Sequence, residues 1–144
     1  MKTADFVWTQ VGSIFVSYAT AGTWTDESFA RWQHETSTAA IDRYIAGIDG
    51  LLEMTARQRR IGAEIGIRRG IKTSIVCDNP VFRGVVTALS WLGADVTPFA
   101  WADVDSGARW LTASAEEQAA VVAAMAKLRD SVKAKNARTQ HHHG

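Results

Sequence analysis

Thr73-Ser74-Ile75-Val76-Cys77-Asp78-Asn79-Pro80 is the stretch on which the fold turns. Its first five residues are mostly β-branched or apolar and suit a buried strand. The Asn79 side chain can accept amide hydrogens of a first helical turn. Pro80, in the first helical position, gives up no hydrogen bond there. A strand running through so short a turn into a helix is half of a βαβ unit, so parallel strands joined by helices are expected. Val81, Val85, Ala88, Leu89 and Leu92 recur at helical spacing as the apolar stripe of this helix, and Gly93 ends it. Residues 96–101 form the next strand, which Pro98 places at a sheet edge.

The same alternation extends toward the N-terminus. Residues 6–11 and 14–19 are short, β-branched and aromatic, and the Gly12-Ser13 break between them predicts a hairpin. Ala21-Gly22-Thr23 ends the second strand. Thr25 followed by Asp26 and Glu27 opens a helix to about Ala40, with Phe29, Trp32, Thr36 and Ala40 as its inner stripe. Residues 43–49 suit a buried third strand. Thr55-Ala56-Arg57-Gln58 is a capping box, and its helix runs to Arg69 before Gly70. Gly62 and Gly66 inside that helix predict close helix–sheet contact.

Toward the C-terminus, residues 103–111 read as a short helix, and Ser114-Ala115-Glu116-Glu117 caps a longer one to about Lys135. Its stripe Val121, Met125, Leu128 and Val132 must be covered, either by its own sheet or by a second subunit, so a homodimer through this helix is one expectation. Residues 136–144 read as a disordered tail. His141, His142 and His143 could hold a metal weakly or be a tag remnant. The fold expected is α/β: a mixed, mostly parallel five-stranded sheet opened by a β-hairpin and covered by helices, plus an extra C-terminal helix. One domain is expected over residues 1–135, with a core at 5–112.

The 144 residues are 47% hydrophobic and 22% charged, an ordinary balance for a globular domain with a real core. A net charge of +1 provides no general attraction to nucleic acid or acidic membranes, and neither is expected as a partner. No apolar run is long enough to span a bilayer, and no signal-peptide core follows Met1, so a cytoplasmic location is expected. Cys77 is the single cysteine, which rules out an internal disulfide and a thiolate metal cluster. No cofactor or metal is expected.

The helical order and several motifs resemble the SpoIIAA-like branch of the STAS superfamily. Val81 to Gly93, with Arg83-Gly84, Thr87-Ala88-Leu89-Ser90 and Trp91, is similar to an "RG…talsW" helix of small bacterial proteins of this kind. Phe99 and Ala108-Arg109-Trp110-Leu111 fall where they carry an "…F…A…WL" ending, and Thr55 to Arg60 is similar to their helix start. The resemblance covers about residues 5 to 112. It implies a STAS-like fold and protein–protein regulation without a cofactor. It also implies a phosphorylation switch at the start of the second helix, where only Thr55 is placed to match. The family's Asp-Ser-Ser/Thr-Gly signature is missing, since the chain reads Gly50-Leu51-Leu52-Glu53-Met54-Thr55. A plain helix cap is the other reading of Thr55.

Residues 51–72 carry six basic side chains against Glu53 and Glu64, an excess of four positive charges. Arg57, Arg60, Glu64 and Arg68 share one helical face, which is either solvated or a docking face for an acidic protein. Asn79 and Arg83 could receive an anion. The six tryptophans read as core or as contact surface, with Trp24 and Trp101, beside turns, the best candidates for contact. A small apolar-ligand or anion carrier is the alternative function. An enzyme would have to use Cys77, or the Asn79/Arg83 helix start, and His34 has no evident link to the cysteine. A non-catalytic protein-binding module is the reading the sequence favours.

Overall fold

The computed structural model describes residues 2–143, with side chains described through Thr139. In chain order the elements are β1 (Phe6–Val11), β2 (Ile14–Ala19), β3 (Gly22–Thr23), α1 (Asp26–Thr38), β4 (Arg43–Ile48), β5 (Leu52–Glu53) and α2 (Ala56–Arg69). They continue with β6 (Lys72–Cys77), α3 (Pro80–Trp91), β7 (Val96–Phe99), a 3-10 turn (Trp101–Asp103), α4 (Val104–Leu111) and α5 (Ala115–His143). The main sheet has the order β1-β2-β4-β6-β7. β1 and β2 are antiparallel across the Gly12-Ser13 turn, and the remaining pairs are parallel. This is the expected mixed α/β sheet, with Pro98 on an edge strand.

Sequential strand order with right-handed crossovers puts α1, α2 and α3 on one face of the sheet. There Phe15, Ala46 and Ile48 meet Phe29, Trp32, Phe82 and Val86. On the other face Ile14, Val16, Tyr18 and Ile45 meet Val121, Met125 and Val132 of α5 and Ala108 of α4. All six residues of β2 are buried, as a strand covered on both faces requires. Gly47 in β4 has no room for a side chain, because a Cβ there would lie 2.6 Å from the Trp101 ring and 2.7 Å from the Met125 sulfur.

Several expectations give way. Ala40 lies beyond the end of α1 and is exposed, so the inner stripe stops at Thr36. Gly22–Thr23, expected to end the second strand, is a short strand of its own, paired in parallel with β5. Trp101 leaves the strand. Its backbone N–H donates to Asp78 Oδ1 at 3.0 Å, which turns the chain into the 3-10 turn. The stretch from Asn136, expected as a disordered tail, continues α5 to His143. Val132 is buried, and Lys135 and Asn136 reach the Asp5 carboxylate at 3.5 and 3.3 Å, so the helix is anchored where it was expected to end. The side chains of His141, His142 and His143, with the metal and tag readings, lie outside the described residues. The α5 stripe is covered by the chain's own sheet.

Candidate functional site

α2 is fastened at both ends and stands off the sheet in the middle. At its start, Thr55 Oγ1 accepts the Gln58 N–H at 3.0 Å and the Thr55 N–H donates to Gln58 Oε1 at 3.0 Å. This reciprocal box satisfies two otherwise orphaned groups, as the sequence predicts. Gln58 is fully buried, and its Nε2 donates to the Trp24 carbonyl at 2.8 Å, which ties α2 to the entry of α1. At the far end Gly70 takes φ +62°, and the Arg69 guanidinium donates to the carbonyls of Thr36 and Ala39 where α1 ends. Between these anchors the expected close contact at the two glycines is absent. A Cβ at Gly66 would meet nothing within 4 Å, and one at Gly62 only the Trp32 ring at 3.9 Å. Below α2, toward the sheet, lies an apolar cavity of about 150 Å³ walled by Trp24, Trp32, Ile48, Ile65, Phe82 and Leu89.

The outer side of the same seam is an open groove between α2 and α3. Ala63 and Ile67 of α2 face Val81, Val85 and Leu92 of α3, with Arg60 and Glu64 beside them. Ile67 is 46% exposed, Val81 63%, Trp91 82% and Leu92 69%. These are the exposed large hydrophobic side chains among the described residues, and all lie on these two helices. α3 is apolar on two sides. Phe82 and Val86 enter the core, while the stripe predicted to be buried turns toward α2 and solvent. Arg57, Arg60 and Arg68 are exposed along α2, and Arg60, with Arg59, lines this groove.

A second polar assembly sits at the carboxyl ends of the parallel strands. Tyr18 donates its hydroxyl to Asp49 Oδ2 at 2.5 Å, and Arg129 holds both carboxylate oxygens at 2.8 and 2.9 Å. The guanidinium also lies 3.9 Å from the centre of the Trp101 ring. Burial raises the Asp49 carboxyl pKa, but hydrogen bonds from Arg129 and Tyr18 and the Arg129 charge outweigh it and hold it below the ordinary range. Burial, reinforced by Asp49, pushes the Tyr18 hydroxyl well up. The cluster locks α5 onto the sheet end.

Thr55 caps α2, and Arg57, Arg60 and Arg68 are exposed along it. Asn79 and Arg83 sit at the start of α3 but are engaged internally. Asn79 Oδ1 accepts the N–H groups of Val81 and Phe82 at 3.0 and 3.2 Å, and Arg83 donates to the Cys77 carbonyl at 3.0 Å. Trp24, expected at a contact surface, is a core residue with 4% exposure, stacked on Phe6 at 4.6 Å. Trp101 is packed against Gly47 and donates its ring N–H to the Ile48 carbonyl at 2.9 Å. The outward-facing tryptophan is Trp91, which core filling would have placed inside. Its exposure follows from the position opposite Phe82 and Val86 on α3, a signal present in the wide apolar pattern of that helix. Cys77 is fully buried, and burial pushes its thiol pKa up despite the nearby Arg83 charge, the reverse of what a nucleophile needs. Among the described residues no cluster of histidine, cysteine, aspartate or glutamate is arranged to hold a metal, and no helix is long and apolar enough to cross a membrane. Scanned against models of known protein families, the chain matches none, and no curated protein matches it.

Proposed function

We propose that this chain is a non-catalytic protein-binding module of the SpoIIAA-like regulatory kind, and that its docking face is the α2–α3 groove. The observation that carries the reading is the exposure of Ile67, Val81 and Leu92, which line the groove, with the exposed Trp91 on the same helix α3. Contiguous exposed apolar surface on a folded domain marks interaction sites. Arg59 and Arg60 line this groove with Glu64, and Arg57 and Arg68 are also exposed on α2. That combination fits an amphipathic helix of another protein, laid with its apolar side in the groove and acidic residues along one edge. The basic flank would speed and orient the encounter, while the apolar contacts would hold it. The stretch Arg83–Trp91, which carries the family resemblance, runs along α3 at this groove.

Ala88 is exposed and lines the groove, so a photo-reactive amino acid placed there reports directly on the occupant. The expected outcome in the native host is one discrete adduct whose cross-linked peptide is acidic and amphipathic, lost on Arg60→Glu or Leu92→Ser. Cross-links spread over many unrelated proteins, or an adduct indifferent to both substitutions, would reject the docking face.

A further inference from the structure

Glycine inside a helix is destabilising, and structures that retain it usually gain a close approach of backbones. Gly62 and Gly66 gain none; they line the wall of the cavity under α2. Protein interiors are packed like organic crystals, with few voids larger than a water molecule. A cavity of about 150 Å³ is far above that size and large enough for a single aromatic ring.

The chemistry of the wall defines the guest. Trp24, Trp32 and Phe82 offer aromatic faces and edges, and Ile48, Ile65 and Leu89 offer aliphatic surface. The buried polar groups nearby are already committed. Trp32 Nε1 donates to the Tyr44 hydroxyl at 2.8 Å, that hydroxyl donates to Ser17 Oγ at 2.8 Å, and Thr36 Oγ1 donates to the Trp32 carbonyl at 2.9 Å. No buried side-chain nitrogen or oxygen among the described residues lacks a partner. The buried polar groups therefore offer a guest no hydrogen bond, and a polar substituent placed among them would be stranded, although Arg59, Thr73 and Asp95 also line the cavity. Ala63, Val85 and Leu89 line both the cavity and the outer groove, so the seam between α2 and α3 is the shortest way in.

We propose that the cavity beneath α2 is a binding site for a small uncharged aromatic molecule of about one ring, admitted along the α2–α3 seam. Guest binding does not require a docked partner, although the cavity shares Ala63, Val85 and Leu89 with the groove.

Benzene and phenol are the probes, read by methyl NMR of Ile65 and Leu89 and by the melting temperature of the full chain. Benzene shifts these methyl resonances in a saturable way and raises the melting temperature, and phenol binds at least tenfold more weakly. Gly66→Leu, which fills the cavity from α2, weakens benzene at least tenfold. No saturable shift with benzene, equal affinity for phenol, or a folded Gly66→Leu protein that binds benzene like the wild type would overturn the proposal. If Gly66→Leu does not fold, the comparison of the two probes on the wild type still decides it.

Discussion

Asp49 closes β4 and carries two obligations at once, accepting from the Tyr18 hydroxyl and from two nitrogens of Arg129. Its depressed carboxyl pKa fixes the sign of the pH effect. A carboxylate held below its ordinary pKa adds stability above the unfolded value of about 4. That contribution disappears as the pH falls through the folded value. Asp49→Asn keeps the shape but loses the charge, and is expected to cost about 1–2 kcal/mol at neutral pH after discounting for partial exposure. Urea denaturation of both proteins at pH 7 and pH 3 checks this, with the difference shrinking at the lower pH. A constant difference at both would remove Asp49 as the cause. None of this was legible in the sequence, because Tyr18, Asp49 and Arg129 are far apart along the chain and meet only through tertiary folding. Thr55 is the opposite case. A capping box is complete within four residues, so its hydrogen bonds could be read directly from Thr55 and Gln58.

At the scale of elements, α2 and α3 hold the departures that matter. Strand and helix positions followed from local signals: β-branched runs, Asn79-Pro80, the Gly70 stop. Which side of a helix is inside did not follow. Val81, Val85, Ala88, Leu89 and Leu92 make as good an inner stripe as Phe82 and Val86, and periodicity cannot choose between two apolar faces. Choice of the inner face falls to the sheet, which accepts Phe82 and Val86, leaving the rest to face α2. The glycines of α2 are likewise visible in the sequence, but they line open space rather than a close helix–sheet contact. Gly66 has ordinary helical backbone and open space, so Gly66→Ala should stabilise the protein by up to about 1 kcal/mol. Chemical denaturation measures it, and a loss of stability would show that the backbone there is more tightly packed than described.

Over the whole molecule, the sheet has two differently finished sides. One is sealed by α4 and α5, whose apolar residues meet Ile14, Val16 and Tyr18 directly. The other carries α1, α2 and α3, with a cavity beneath α2 and an apolar groove above it. The strand order was within reach of the sequence, because an opening hairpin followed by alternating helices and strands allows few topologies. The destination of α5 was not, since an amphipathic helix looks the same whether its cover is a sheet or another subunit. The large hydrophobic side chains left exposed among the described residues are on α2 and α3 or at the end of α3. That surface is the account's central claim, and it is tested most directly by the affinity of the cross-linked partner peptide for the wild type and for Leu92→Ser, measured at low and at high salt. Binding at least tenfold weaker is expected for Leu92→Ser, with an unchanged melting temperature, and a wild-type affinity that falls as salt rises. Equal affinity for both proteins, or wild-type binding indifferent to salt, would contradict it.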